Sequence, residues 1–209
     1  MRVVVPFGGR EPKTRLAPFF DADERREFAV SMLRDVLDAV RAAGGDPAVV
    51  ADAPVSVGAS VTVDDRPLTE VVGDELAERD ELGGDPVAVV MADLALATPA
   101  ALARLFETDG DVVAAPGLGG GTNALVVRHP DFSVDYHGAS ILDHRRIARD
   151  VGCSFAEVDS MRLAVDVDEP SDLVEVLVHG EGRAREWLVD AGVRLERGSG
   201  RVEAVRARR

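Results

Sequence analysis

Cysteine is nearly absent from this 209-residue chain: Cys153 stands alone. That excludes an intramolecular disulfide and any cysteine-based metal cluster. Lysine is as scarce, since Lys13 is the only one although Lys and Arg together number 24. No run approaches the roughly 18 apolar residues that a membrane span needs. The opening Met-Arg-Val-Val-Val-Pro-Phe-Gly-Gly is too short and too quickly broken for a signal peptide. A soluble, cytoplasmic protein without a membrane partner is the expectation. Positive charge is also in deficit, with 38 acids giving a net charge of −14. Such a surface repels nucleic-acid phosphate, so no nucleic-acid partner is expected. Acid-rich, lysine-poor surfaces suit high salt, where screening removes their self-repulsion. GC-rich coding bias, which favours Arg and Ala, is the competing explanation, and the two are compatible.

What is present is a globular chain, 46% hydrophobic and 30% charged. Arg2–Phe7 reads as a strand ending at Gly8-Gly9. Asp21 and Asp23 offer N-caps for a helix with apolar Phe28, Met32, Val36, Leu37 and Val40, stopped by Gly44-Gly45. Strands follow at 48–52 and 60–63, then a helix from about Pro67 to Glu81 ending at Gly83-Gly84. Pro86–Asp93 is apolar on both faces, as a buried parallel strand is. Thr98-Pro99 opens a helix to about Glu107. Strands at 111–115 and 123–127 flank the glycine-rich loop 116–121. A helix opens near Gly138-Ala139-Ser140, and short strands are predicted at 155–158 and 163–167. Pro170 starts a helix to about His179, and 183–191 forms another. This alternation predicts a layered α/β domain with a largely parallel central sheet over residues 1–193. The Arg-rich tail, 194–209, is either a small hairpin around Gly198-Ser199-Gly200 or a frayed end.

Four places carry possible chemistry. Gly8-Gly9-Arg10-Glu11-Pro12-Lys13-Thr14-Arg15-Leu16 follows the first strand, where open α/β sheets bind ligands. Its glycines permit close approach to a phosphate, and Arg10, Lys13 and Arg15 reverse the local sign. It matches neither the dinucleotide fingerprint nor the Walker loop; a solvated turn is the plain alternative. Asp93 ends the most apolar strand, as a surface residue or a metal ligand. In Asp166-Val167-Asp168-Glu169-Pro170 the alternation puts Asp166 and Asp168 on one side. They suit metal binding, while Asp168 or Glu169 serves equally as a helix cap. The fourth place joins Gly119–Asn123 to Tyr136–Ser140, with N–H groups and hydroxyls for an anion. A surface loop and a plain Ser140 cap are the alternatives there.

The remaining reactive residues are weaker candidates. His129 and His179 read as surface residues. His144, four residues after Ser140, shares its helix face and reads first as an ordinary helix residue. Cys153 reads as a small packed residue without a histidine partner.

In this order, Val5-Pro6-Phe7, Pro12-Lys13-Thr14-Arg15-Leu16-Ala17-Pro18, Asp93-Leu94, Gly121-Thr122-Asn123-Ala124-Leu125, Gly138-Ala139-Ser140 and Val167-Asp168-Glu169-Pro170-Ser171-Asp172-Leu173 resemble the archaeal 2-phospho-L-lactate guanylyltransferases of coenzyme F420 biosynthesis. The resemblance spans residues 1–180, and its first and last motifs are the specific ones. Departures are Ala95 for a common proline, His137 for a frequent glycine and Gly73 near a frequent asparagine. The resemblance implies a three-layer, Rossmann-like nucleotidyltransferase sandwich, a homodimer, and GMP transfer from GTP to a small phosphorylated carboxylic acid. It places Mg²⁺ on Asp93 and Asp168, and Gly8, Gly9, Lys13 and Arg15 along the GTP phosphates, with Lys13 and Arg15 catalytic. Thr122, Gly138 and Ser140 would hold the acceptor.

The residues agree with that chemistry. A phosphate nucleophile is already ionised at neutral pH and needs no general base. Charge neutralisation and in-line positioning are what the reaction demands. Related guanylyltransferases acting on phosphoenolpyruvate or 3-phosphoglycerate, other nucleotidyltransferases of this layout, and a non-catalytic nucleotide-binding module are the competing readings.

Overall fold

The computed structural model describes residues 1–81, 84–197 and 200–206. Seven strands form the central sheet: β1 (Arg2–Phe7), β2 (Asp46–Ala51), β3 (Ser60–Val63), β4 (Val87–Val90), β5 (Val112–Pro116), β6 (Thr122–Val127) and β7 (Phe155–Glu157). Their order is β3-β2-β1-β4-β6-β5-β7. Only β6 runs against the rest, pairing antiparallel with β4 and β5. The central strands are buried on both faces, which is why Val87–Val90 reads as an unbroken apolar run.

Alternation along each strand sorts the core into two layers. Val3, Val5 and Phe7 face one side with α1 (Ala22–Ala42), α3 (Pro99–Glu107), α6 (Asp172–His179) and α7 (Arg183–Asp190). Val4, Val87 and Val89 face the other with α2 (Leu68–Glu81) and α4 (Ser140–Val151). The result is the expected three-layer sandwich.

Helix starts follow local chemistry. Asp21 caps α1 through a reciprocal box with Glu24. Thr98 accepts from the N–H of Ala101, with Pro99 in the first turn of α3.

Three expectations are corrected. Residues 163–167 pair with no strand. Instead α5 (Met161–Ala164) winds one turn because Ser160 O accepts from both Leu163 and Ala164. Leu163, Val165 and Val167 still alternate into the core, so the period-two signal was real but lacked a ladder partner. The helix expected at Pro170 begins at Asp172, whose carboxylate accepts from the N–H groups of Asp168 and Glu169. Neither Asp168 nor Glu169 caps it. The strand expected to reach Asp93 stops at Val90, and Asp93 lies in the turn beyond.

The C-terminal segment forms an antiparallel hairpin of β8 (Val193–Arg197) and β9 (Val202–Arg206). Gly198 and Ser199 lie outside the described residues, as do Gly83, Arg208 and Arg209. Arg206 ties the hairpin to the body through Glu24 and the carbonyls of Phe19 and Ala191.

Candidate active site

The ends of β1 and β4 diverge over a cleft of about 440 Å³. Its floor and walls include Gly8, Lys13, Val50, Asp52, Leu68, Val71 and Asp93. This is the position at which open α/β sheets bind ligands.

Lys13, between Pro12 and the Thr14–Leu16 3₁₀ turn, lies in the left-handed region at φ 54, the only non-glycine residue there among those described. That conformation is costly for a residue with a Cβ. It sends the Lys13 Nζ to Asp93 Oδ2 at 2.7 Å and Asp168 Oδ1 at 3.4 Å. Arg15 reaches the other oxygen of Asp168 at 2.7 Å. Burial works to lower the Lys13 pKa, but the Asp93 carboxylate, helped by Asp168, outweighs it and holds the ammonium above its ordinary value. The four charged residues expected from sequence positions 13 to 168 therefore converge on one spot.

The same spot fits a divalent cation. Asp93 Oδ1 is buried without a hydrogen-bond partner, an anionic oxygen that the protein itself does not satisfy. The Lys13 ammonium sits between the two carboxylates as a cation there would. Among the described residues no group of three or more His, Cys, Asp or Glu is arranged to hold a metal. Two carboxylates are what a hard cation needs when substrate oxygens and water complete its shell. Asp166 points elsewhere, its Oδ1 3.3 Å from the Asn123 amide nitrogen.

The glycines divide in role. Gly8 lines the cleft. The N–H groups of Gly9 and Arg10 are directed to Asp52 Oδ1, at 2.6 and 3.1 Å. Asp52 was not singled out in the sequence, although an acid closing a parallel strand beside β1 is a positional signal. Asp64 and Arg66, also on the cleft wall, are a paired acid and base that belong to no motif.

A second polar cluster lies across β6. Thr122 starts that strand, and Ser140 starts α4; each is 3% exposed. Ser140 does not cap its helix, because Ala139 occupies the cap position. Its hydroxyl instead lies 3.2 Å from Thr122 Oγ1. Gly138, left-handed at φ 57, sits in the turn that leads into the helix. In the glycine loop, the N–H groups of Gly117, Leu118 and Gly120 bond within the protein and shape the loop. His144, read first as an ordinary helix residue, is fully buried and touches Thr122 Oγ1 with Nδ1 at 2.8 Å. Its four-residue offset from Ser140 was the signal for it. Burial depresses its pKa to about 4, against weaker opposing pulls from Asp135 and Asp143. Burial pushes the Cys153 thiol up, and Asp111 adds to this, so Cys153 is no activated nucleophile.

The family model for CofC-like guanylyl transferases matches residues 1–208. The chain belongs to that family. The 2-phospho-L-lactate guanylyltransferase of Haloferax volcanii is 91% identical over 209 residues, covering all of both chains. That of Halomicrobium mukohataei is 64% identical over 206 residues, covering 99% of this chain and 100% of its own. Among solved structures, a Desulfovibrio desulfuricans protein assigned to the nucleotide-diphospho-sugar transferases matches with a TM-score of 0.72 at 16% identity, covering 90% of this chain and 94% of its own. A nucleotidyl transferase from Methanothermobacter thermautotroptrophicus gives 0.59 at 18% identity, covering 85% and 96%. These likenesses show the fold, that of the nucleotidyltransferases. No helix among the described residues is long and apolar enough to cross a membrane.

Proposed function

We propose that this guanylyl transferase family member joins GMP from GTP to 2-phospho-L-lactate and releases pyrophosphate, a step of coenzyme F420 biosynthesis. One observation carries the reaction class: Lys13 and Arg15 converge on Asp93 and Asp168 at the mouth of a cleft large enough for a nucleotide. The full-length relatives supply the substrates.

In this reaction a phosphate oxygen of the acceptor attacks the α-phosphorus of GTP. A new P–O–P bond forms, the α–β bond breaks, and pyrophosphate leaves with the electron pair. The nucleophile arrives ionised, so the reaction needs no general base. Lys13 and Arg15 are the groups that face the departing charge. Asp93 and Asp168 would hold Mg²⁺, whose role is to neutralise phosphate oxygens that the acids alone would repel. The base lies against Val50, Leu68 and Val71, with Gly8 allowing the phosphates close to the backbone. Thr122, Ser140 and Gly138 take the acceptor's anionic groups. A homodimer follows from the family resemblance, with the cytoplasm as its setting.

The test is pyrophosphate release from GTP or ATP against 2-phospho-L-lactate, phosphoenolpyruvate and 3-phosphoglycerate, with Mg²⁺ and with EDTA. Turnover is expected with GTP and 2-phospho-L-lactate and should vanish in EDTA. Asp93→Asn and Lys13→Ala should each lower kcat at least about 100-fold with an unchanged circular dichroism spectrum. Near-normal rates in both variants would overturn the site. GTP binding without turnover on any of the three acids would favour the binding-module reading.

A further inference from the structure

The cluster of His144, Thr122 and Ser140 has a hydrogen count that depends on one tautomer. A neutral imidazole carries one N–H, and each hydroxyl carries one O–H, so three hydrogens serve three side chains. Two contacts join them: His144 Nδ1 to Thr122 Oγ1 at 2.8 Å, and Ser140 Oγ to Thr122 Oγ1 at 3.2 Å. Whether the third hydrogen is spare depends on which ring nitrogen is protonated.

The main chain decides. The Asp135 N–H points at His144 Nε2 across 3.2 Å, and an amide N–H can only donate. Nε2 is therefore the bare nitrogen and Nδ1 carries the hydrogen. Nδ1–H then donates to Thr122, leaving two hydroxyl hydrogens for the single Thr122–Ser140 contact. One O–H remains to donate outward. In the opposite tautomer Thr122 would donate to Nδ1 and Ser140 to Thr122. Both hydroxyl hydrogens would be consumed, the ring hydrogen on Nε2 would face the Asp135 N–H, and the hydroxyl pair would present only lone pairs, which repel an anion.

The setting keeps the ring neutral. It is fully buried, packed against the rings of Phe132 and Tyr136, and the charged groups acting on it are Asp135 and Asp143. The two acids favour the charged ring, but burial opposes this more strongly.

We propose that His144 is a positioning residue for the phosphorylated acceptor: held as the Nδ1–H tautomer by the Asp135 N–H, it makes the Thr122–Ser140 pair a hydrogen-bond donor toward an anion. This rests on the reading that Thr122 and Ser140 face the acceptor.

The first experiment is long-range ¹H–¹⁵N correlation on the intact protein labelled at histidine nitrogens. One histidine should show a protonated Nδ1 and a bare Nε2, and that signal should be missing in His144→Gln. An Nε2–H form for His144 overturns the proposal, with or without the variants. The second is steady-state kinetics. Gln keeps a polar group near Nε2 to accept from Asp135 but removes the donor to Thr122, whereas Asn keeps a donor near Nδ1. His144→Gln should raise KM for 2-phospho-L-lactate about tenfold and leave KM for GTP unchanged, and His144→Asn should recover most of that loss. Equal rises in both KM values, with no recovery by Asn, would show a merely structural role. Thr122→Val separates the two readings. If it leaves the acceptor KM unchanged, the acceptor-site reading fails. If it raises that KM while His144→Gln does not, only the proposal made here fails.

Discussion

His144 gives the protein a pH dependence whose sign follows from its burial. The unfolded imidazole titrates near its ordinary value of 6.5, whereas the folded one waits until about 4. Below 6.5 the unfolded chain takes a proton that the native state refuses, so stability falls as pH drops and levels off near the folded value. Above 6.5 the group contributes nothing. The full effect is roughly 3 kcal/mol, of which about 2 kcal/mol falls between pH 7 and pH 5. Hydrogen bonds hold the carboxyls of Asp111, Asp135 and Glu157 below their usual range. Their stabilisation is lost only below about pH 4, so it does not obscure the histidine window. Urea unfolding at pH 7 and pH 5 should show wild type losing about 2 kcal/mol more than His144→Asn. An identical loss in both proteins would mean that the buried ring takes its proton without resistance.

Elements are held to one another by acids as much as by apolar contact. The helix α7 has glycine at its N-cap, and no side chain of its own satisfies its first N–H groups. Asp35, in the middle of α1, does so instead, accepting from Arg183 at 3.0 Å and Ala184 at 2.9 Å. A Cβ at 182 would meet that carboxylate and push it from its place, so the glycine lets Asp35 approach closely. Asp35→Ala should cost about 1–2 kcal/mol in urea unfolding and leave the kinetics unchanged, as removal of a helix cap does. The contact is instructive about reading the sequence. Asp21, Thr98 and the run Val87–Val90 announced their elements because the deciding interactions lie within a few residues. Lys13, Asp93 and Asp168 were legible because each is a charge that closes an apolar or alternating run or lies within two residues of a proline. Asp35 was not legible, and the contacts of Asp52 with Gly9 and of His144 with Thr122 were hidden behind weak positional signals, because those partners lie far along the chain. Leu163–Val167 misled for the same reason: alternation reports burial of one face, while a strand also requires a neighbour with free hydrogen-bonding groups.

At the scale of the whole molecule the charge balance sets the response to salt. Even if every one of the 24 bases paired with one acid, 14 of the 38 acids would remain uncompensated. Two kinds of interaction then compete as salt rises. Surface pairs such as Arg145–Glu157 at 2.6 Å and Arg146–Asp143 at 3.3 Å act at contact distance and are each worth little. The repulsion among the surplus carboxylates acts over longer distances, within a Debye length of about 10 Å at 0.1 M that shrinks to about 3 Å at 1 M. Added salt therefore removes the repulsion before it removes the pairs, and the folded state gains. The thermal midpoint should climb between about 0.1 M and 1 M KCl, most steeply at the low end where the Debye length changes fastest. Replacing surplus surface acids by their amides should flatten that climb. A midpoint that falls with KCl would show that contact pairs, and not the surplus charge, dominate the surface, and the acidic composition would then reflect coding bias alone.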